Sequence, residues 1–439
     1  MLQTIVNAFR VKDIRKKILF TLLVLAIYRL GCVLPVPFIN SAILEPTMAN
    51  AGGSLFQYFS ILSGGAFSKA TLFALSVSPY ITASIVIQLL TIAIPALERI
   101  AKDGEEGTKR INKYTRYLTV VLALITSYGY YQILKNLTST SGSTLSAIVN
   151  FTDSGVFEAF VICACYCAGA MLIMWLGEKI DEFGIGNGIS LILFVNIISR
   201  IPSLIGTLLG WGSTWWLKVI YCIIALAIAV VVVGFIVHIT EAERRLPVQY
   251  AKKVVGRKMY GGQSTTLPIK LNMNGVMPII FASSICSLPA TIAQFARPTA
   301  GSFWAGVVNF FSTDSIAYPI FYFIFIILFA YFYTEISFNP VEVANNLKQN
   351  GGFILGIRPG RPTSDYIKKV LNKVTLMGAL FLSVIAVIPI IINICCGNAI
   401  AEIAFSGSSI LIVVGVALET ARELEAQLTM RHYKGFLDK

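Results

Sequence analysis

The sequence predicts an all-α polytopic membrane protein with ten transmembrane helices, and three observations carry that prediction. Charged residues make up 13% of the 439 residues and hydrophobic residues 56%, with a mean hydropathy of +0.75. Soluble domains contain about 25% charged residues. Apolar runs of about 20 residues, the length that spans the hydrocarbon of a bilayer, recur along the whole chain. A shorter apolar segment, 54–68, is interrupted by Gly64 and Gly65 and indicates a half-helix inside a cavity.

The ten predicted spans fall into two groups of five. Their approximate bounds are 18–37, 70–97, 117–134, 159–177, 183–199, 219–240, 271–296, 315–334, 374–401 and 403–418. Residues 1–17 place apolar side chains at helical spacing before a basic cluster, which is typical of an amphipathic helix on the membrane surface. The predicted organisation is therefore an N-terminal segment 1–17, a first half 18–200, a second half 201–418 and a tail 419–439.

The basic residues predict the orientation of the chain in the membrane. The two termini and the loops on their side of the membrane hold 29 of the 35 Lys and Arg residues. Cytoplasmic segments of membrane proteins are enriched in Lys and Arg, so both termini are expected in the cytoplasm. The net charge of +13 follows from this distribution and does not require a soluble nucleic-acid-binding domain.

A six-residue pattern occurs once in each half. Residues 79–84 of the second span and 278–283 of the seventh both fit P-x-I-x-A-S. Because each half contains an odd number of spans, the two halves face opposite ways across the membrane. This pattern predicts an inverted repeat, with the functional path at the interface between the halves.

The ionisable residues argue against an enzyme and against an ion-coupled transporter. No predicted span carries an acid near its centre, because Glu158 and Glu402 lie at the edges. Arg29 is close to the outer end of its span, where its side chain can snorkel to the interface. The eight cysteines lie in apolar stretches and only two histidines occur, so we expect buried thiols, no metal site and no cofactor. A solute transporter with a five-plus-five repeat remains the alternative.

Two long cytoplasmic loops, 241–270 and 335–373, carry basic residues and apolar tips. Two extended runs around Gly256 predict a hairpin in the first loop. The Gly- and Pro-rich segment 350–362 predicts a stiff turn that holds Arg358 outward in the second loop. The loops suit the docking of a soluble partner, although solvated loops beside anionic lipid have the same composition.

Five motifs in order carry a resemblance to a known family. They are 63–66 (SGGA), 79–85 (PYITASI), 184–190 (GIGNGIS), 249–252 (QYAK) and 356–360 (GIRPG). From about residue 20 to 435 the chain resembles the SecY family, the central subunits of the bacterial Sec protein translocase. The resemblance implies two hinged five-helix halves in the bacterial plasma membrane, through which unfolded polypeptides cross. It also implies a lateral gate between the second and seventh spans that releases transmembrane segments into lipid.

The same resemblance implies roles for residues inside the membrane. The constriction ring corresponds to Val77, Ile81, Leu193, Ile280 and Ile412. The plug that blocks the closed channel corresponds to residues 54–68, with Phe56, Phe59, Gly64, Gly65 and Phe67. The lateral gate corresponds to Ile85, Gln88, Ser284 and Ile285. From the residues alone, the ring positions are also compatible with ordinary helix packing, and the plug with a re-entrant packing helix.

Partners follow from the resemblance as well. Residues that correspond to the docking site for the SecA ATPase or the ribosome are Arg244, Arg245, Lys252, Lys253, Arg358 and Tyr433. The family also implies small SecE-like and SecG-like membrane subunits, and signal sequences and unfolded polypeptides as substrates. Energy would come from ATP hydrolysis by SecA or from elongation of the polypeptide, so the chain itself is not expected to be an enzyme.

Overall fold

The computed structural model is built almost entirely from helices. It describes residues 8–41, 44, 60, 63–140, 156–210, 215–250, 253–255, 258–260, 264–273, 275–296, 306, 310, 315–396 and 401–437. The helices of the first half are α1 (Lys12–Gly31), α2 (Ser78–Ala93), α3 (Pro95–Lys102), α4 (Gly104–Thr140), α5 (Val156–Phe183), α6 (Gly188–Ile198) and α7 (Ile201–Gly210). The helices of the second half are α8 (Trp215–Glu241), α9 (Met277–Ala296), α10 (Ala317–Ser337), α11 (Pro340–Gln349), α12 (Arg361–Cys396) and α13 (Ala401–Leu437).

The helix contacts of the first half recur in the second half. In the first half α2 packs on α4, α4 on α5, and α5 on α6. The second half repeats this order, since α9 packs on α10, α10 on α12, and α12 on α13. In addition, α1 contacts α6 in the first half, and α8 contacts α13 in the second. The recurring order is what two copies of one five-helix unit produce.

The two halves meet along two seams. At the first seam α9 contacts α2 and α4. At the second seam α6 contacts α13, and the Lys17 ammonium donates a hydrogen bond to Gln427 at 3.3 Å. Ala8 and Ile14 are buried there beside Leu424 and other apolar side chains of α13. The described part of the N-terminal segment therefore packs on α13, and its predicted place on the membrane surface stays a prediction.

The second span begins later than predicted and is broken. Residues 70–77 form turns, with positive φ at Ala70 (46°) and Ser76 (52°), and the helix begins at Ser78. Pro79 was expected in the middle of a span, but it lies in the first turn, where its missing N–H costs no hydrogen bond. Pro95 ends the helix, because the preceding residue Ile94 is forced into an extended conformation. The next helix, α3, is bent away by 103°.

Helix length supports several membrane crossings. Within the described residues, five helices are long and apolar enough to span: Gly104–Lys135, Val156–Phe183, Lys218–Glu241, Ala317–Gln349 and Arg361–Ile392. The bent pair α2 and α3 makes a sixth if it is one span. The count of ten spans remains a prediction. Several helices also continue past their predicted spans, most clearly α13, which runs through the tail 419–439 to Leu437, because hydropathy marks the apolar stretch and not the helix end.

The two long loops, 241–270 and 335–373, form a three-stranded sheet and a separate two-stranded sheet. In the first loop, β1 (Glu243–Tyr250) pairs antiparallel with β4 (Ser264–Lys270), and β2 (Lys253–Val255) pairs with β3 (Lys258–Tyr260). This pairing confirms the predicted hairpin. The second loop supplies β5 (Gly352–Ile354), which pairs with the other edge of β1. The sheet buries Leu246, Val248 and Ile354 against Ile367 and Leu371 of α12.

Candidate functional site

The five predicted ring residues belong to, or pack against, one large apolar cluster to which both halves contribute. Val77, Leu193, Ile280 and Ile412 are buried in this cluster, with exposed fractions of 1%, 3%, 7% and 6%. Ile81 is half-buried and packs against the same cluster. The residues come from the start of α2, from α6, from the first turn of α9 and from α13. Aliphatic side chains from both halves thus contribute to the same cluster.

Leu193 is positioned by the glycine-rich motif at 184–190. Asn187 caps α6, because its side-chain oxygen accepts a hydrogen bond from the Ser190 backbone N–H at 3.1 Å. A Cβ on Gly188 would lie 2.1 Å from the Gly177 carbonyl oxygen, so only glycine allows α6 to begin this close to α5. The motif therefore fixes the start and the direction of the helix that carries Leu193.

Ile412 is positioned by another close approach. A Cβ on Gly415 would lie 2.4 Å from Cγ2 of Val276, which directly precedes α9. Gly415 and Ile412 are three residues apart and share one face of α13. The absence of a side chain at Gly415 therefore allows α13 to pack closely against the start of α9, where Ile280 is located.

The predicted gate residues lie on two helices that touch. Ile85 is buried on α2, and Ile285 packs against the same cluster from α9. The Ser284 hydroxyl donates to the Ile280 carbonyl of its own helix at 2.8 Å. Gln88 bonds to α10, since its side-chain oxygen accepts a hydrogen bond from the Tyr333 hydroxyl. Helix α10 therefore belongs to this seam together with α9.

Tyr333 was missed by the sequence analysis. It stands in an apolar, aromatic-rich span whose pattern gives no sign of a polar contact. Its ring also packs on Phe281 of α9, with centroids 4.9 Å apart. One tyrosine thus contacts both sides of the seam, α2 through its hydroxyl and α9 through its ring.

We expect Tyr333→Phe to weaken the seam without unfolding the bundle. The substitution removes one hydrogen bond between helices, which in membranes averages about 0.6 kcal/mol, a factor of about three in an equilibrium. If this seam is the lateral gate that the resemblance implies, export of a precursor with a defective signal sequence should rise by about that factor. Tyr331→Phe is the matched control, because the Tyr331 hydroxyl donates to the Asn372 carbonyl of α12, at 3.2 Å and away from the seam. Equal effects of both substitutions would count against a gate role for Tyr333.

The predicted plug is described only at its C-terminal end. Phe56 and Phe59 lie outside the described residues, as does most of 54–68. Gly64 and Gly65 have positive φ values of 64° and 89°, which favour glycine. Phe67 is buried, and its ring lies 4.7 Å from the ring of Tyr130. Residues 63–70 form turns, so the half-helix remains a prediction.

Three of the predicted docking residues, Arg244, Arg245 and Arg358, lie on or near the three-stranded sheet. Arg244 and Arg245 are exposed on β1, and Arg245 pairs with Glu243 at 2.6 Å. Arg358 is exposed four residues beyond β5, in a turn with positive φ at Gly356 and Gly360. Because β5 pairs with β1, the two loops form one surface. Lys252 lies outside the described residues, and only the backbone is described at Lys253 and Tyr433.

These features define a class: a polytopic helical membrane protein whose two repeated halves share an apolar core. The family model described as SecY matches residues 71–421. The protein translocase subunit SecY of Streptomyces coelicolor is 44% identical over 443 residues, and that of Mycobacterium bovis is 42% identical over 448; each covers all of both chains. The chain belongs to the SecY family. It is accordingly a multi-pass membrane protein of protein transport and not an enzyme.

Solved structures with the same fold are more distant in sequence. One, described as the structure of a protein conducting channel, has a TM-score of 0.63 at 18% identity and covers 94% of this chain and 92% of its own. Another concerns the SecY plug domain, which stabilises the closed state of that channel (TM-score 0.62, 17% identity, 94% and 92% covered). A third is Sec61 in the canine ribosome-channel complex (TM-score 0.58, 16% identity, 94% and 92% covered). They establish the fold alone.

Proposed function

We propose that the chain is the pore subunit of a bacterial protein translocase, which passes unfolded polypeptides across the plasma membrane. The observation that carries this proposal is that one apolar cluster, to which both halves contribute, includes or contacts the five predicted ring residues Val77, Ile81, Leu193, Ile280 and Ile412. The names of the translocase relatives support the same function.

An aliphatic ring suits a substrate of any sequence. Its side chains offer no hydrogen bond that prefers one residue, and aliphatic chains adapt to the different widths of a passing polypeptide. An empty, narrow apolar constriction tends to lose its water and so resists ions. One set of residues thereby serves both to pass polypeptide and to limit leak.

Residues 54–68 act as the plug of the closed channel in this proposal. The segment contains the Gly64–Gly65 turn near its C-terminal end and lies shortly before Val77 of the ring in the sequence. The plug domain described for a solved SecY structure supports this role. Opening then requires the plug to leave the outer side of the ring.

Transmembrane segments and signal sequences leave into lipid through the seam between α2 and α9. The seam is held by apolar contacts of Ile85 and Ile285 and by the bond between Gln88 and Tyr333. Such contacts are weak enough to separate, because a hydrogen bond between membrane helices contributes only about 0.6 kcal/mol. The alternative function, a solute transporter, does not require a seam that opens towards lipid.

The cytoplasmic sheet serves as the docking surface, with both termini on the same side of the membrane. Exposed Arg244, Arg245 and Arg358 suit a SecA-type motor or the phosphates of ribosomal RNA. The ribosome complex described for Sec61 supports the second partner. SecE-like and SecG-like subunits and anionic lipids complete the proposed assembly.

Cysteines at positions 85 and 285 test the gate. In the assembled translocase, Ile85→Cys with Ile285→Cys should form an oxidative crosslink in the closed state, because their helices are in contact. The crosslink should block insertion of membrane proteins until it is reduced. A pair at positions 85 and 388 is the control, since Ile388 is exposed on α12. Absence of the 85–285 crosslink in a correctly inserted protein would argue against this seam as the gate.

A further inference from the structure

A cavity of about 860 Å³ lies where α10, α11 and α12 meet. Its lining comes from 335–345, at the end of α10 and the start of α11, and from 360–372, the first turns of α12. Pockets that bind small molecules have volumes of about 300–1,000 Å³. The predicted ring, gate and docking residues do not line it, so the function proposed above leaves this cavity without a role.

The cavity lies at the predicted boundary of the membrane. The spans that hydropathy predicts in α10 and α12 are 315–334 and 374–401, so both stretches of the lining are directly outside them. Towards the spans the surface is apolar, since Ile336 is exposed on α10 and Leu376 is exposed on α12. Leu376 is four residues beyond Asn372 of the lining and hence on the same face of α12. The polar lining thus continues into an apolar surface, which suits a molecule with a polar head and an apolar chain.

Four charged side chains of both signs line the cavity. Arg361, Asp365 and Lys368 alternate in sign along one face of α12, at intervals of four and three residues. Glu335, near the end of α10, supplies the second carboxylate. All four are exposed, and none of their side chains forms an ion pair or a hydrogen bond with another residue that the structure describes. Two cations and two carboxylates therefore remain available around one space.

A buried hydroxyl completes the lining. Ser364 lines the cavity and is only 7% exposed, and its hydroxyl forms no hydrogen bond with any other residue in the described part of the chain. Nearly all buried polar groups in proteins are hydrogen-bonded, so this hydroxyl indicates a partner inside the cavity. The start of α11 does not offer comparable donors, because the Asn339 side chain already accepts hydrogen bonds from the N–H groups of Val341 and Glu342.

We propose that this cavity binds the headgroup of a phospholipid that carries a primary amine, such as phosphatidylethanolamine. The phosphate lies between Arg361, Lys368 and the Ser364 hydroxyl. The ammonium group lies between Asp365 and Glu335. The acyl chains follow the exposed apolar surface of α10 and α12 into the membrane.

The balance of charges around the cavity selects this headgroup. An anionic headgroup brings no cation for the two carboxylates and is repelled by them. The quaternary ammonium of phosphatidylcholine has the charge but no N–H to donate, whereas a primary ammonium forms charge-assisted hydrogen bonds with carboxylates. A soluble zwitterion would leave the apolar surface beside the cavity uncovered. The inference concerns lipid binding alone and is independent of the proposed ring, gate and plug.

Photoactivatable lipids test the cavity in the complete translocase, reconstituted in vesicles of phosphatidylcholine. The probes are present in trace amounts, carry a diazirine in one acyl chain and differ only in their headgroup, which is ethanolamine, choline or glycerol. Labelling of the peptides that contain Ile336 and Leu376 is quantified by mass spectrometry. We expect the ethanolamine probe to label these peptides severalfold more than either other probe. An excess of soluble glycerophosphoethanolamine should compete only weakly, because it has no acyl chains.

Substitutions separate the two charged groups of the lipid. Lys368→Gln should lower labelling by the ethanolamine and choline probes about threefold, or roughly 0.6 kcal/mol, because both lipids contain the phosphate. Ser364→Ala should act in the same direction. Lys369→Gln is the matched control, because Lys369 is exposed on α12 outside the cavity. Asp365→Asn should reduce the ethanolamine probe to the level of the choline probe and leave the choline probe unchanged. Glu342→Gln, on α11 and outside the lining, should change neither.

Four results would overturn the proposal. Equal labelling by the three probes, unchanged by Lys368→Gln, would mean that ordinary boundary lipid covers this surface. Stronger labelling by the glycerol probe, rising further in Asp365→Asn, would identify a site for anionic lipid instead. Complete competition by glycerophosphoethanolamine would identify a site for a soluble compound. Labelling that appears only after the chain is separated from its companion subunits would mean that another protein occupies the cavity.

Discussion

Replacing Ile280 by Asn is expected to raise the ion leak of the resting channel by about one to two orders of magnitude. Ile280 is 7% exposed in the cluster that both halves share. A polar amide buried there without a partner costs about 1–3 kcal/mol, and it recovers this energy when water enters. The closed state is therefore destabilised relative to the hydrated one. The leak is measured as ion flux in vesicles that contain the translocase without substrate, and export of precursors with defective signal sequences should rise with it.

Two control substitutions test whether Ile280 lines the constriction ring or only packs α9 against its neighbours. Ile279 is the neighbouring residue on α9 and is 1% exposed, so Ile279→Asn introduces the same amide at a position outside the ring. It is expected to lower stability with little effect on the leak. Ile280→Val keeps the aliphatic character and should behave nearly like the parent. Equal leaks for Ile279→Asn and Ile280→Asn would mean that Ile280 is a packing residue.

Replacing Arg358 by Glu is expected to reduce SecA-driven export by at least about tenfold while the protein stays inserted. Arg358 is exposed, and the described contact at this residue is made by its backbone, whose carbonyl accepts a hydrogen bond from the Thr363 hydroxyl at 2.8 Å. Charge reversal therefore leaves the fold intact. Arginine is often a residue whose loss costs an interface 2 kcal/mol or more. The measurement is ATP-dependent translocation into vesicles at saturating and limiting SecA.

Lys348→Glu is the matched charge reversal for that experiment. Lys348 is exposed on the neighbouring helix α11, so it changes the net charge of this face by the same amount. Export that falls only for Arg358→Glu indicates a specific contact. If ribosome binding falls and SecA-driven export does not, the surface serves the ribosome. Normal values for both partners would remove Arg358 from the docking surface.

The fold was largely predictable because membranes impose simple rules. Hydropathy indicated the spans, and the two P-x-I-x-A-S motifs indicated that α2 and α9 occupy equivalent places in the two halves. The hairpin at β1 and β4 followed from extended runs around Gly256. The start of the second span did not follow, because Pro79 is compatible both with a kink inside a helix and with a first turn. The structure decides between them, because residues 70–77 form turns with positive φ at Ala70 and Ser76 and the helix begins only at Ser78.

The site was predictable only in part. The ring residues came from the resemblance, because an isoleucine that lines a constriction has the same pattern as one that packs a helix. Tyr333 and Arg29 were missed or misread for another reason. Their partners, Gln88 and the end of α6, are distant in sequence and carry no motif that pairs them. A long arginine side chain reaches the membrane surface or a neighbouring helix equally well, so its sequence position does not decide between them.

The central claim is that the shared apolar cluster surrounds the polypeptide in transit. The most direct measurement uses a precursor arrested during translocation, with one cysteine in its membrane-spanning stretch, and single cysteines placed at positions 81, 280 and 412. These positions are expected to form disulfides with the precursor, whereas cysteines at 324 and 392, where the exposed Ile324 and Ile392 face away from the cluster, are not. Disulfides at 324 or 392 but at none of the three ring positions would contradict the claim.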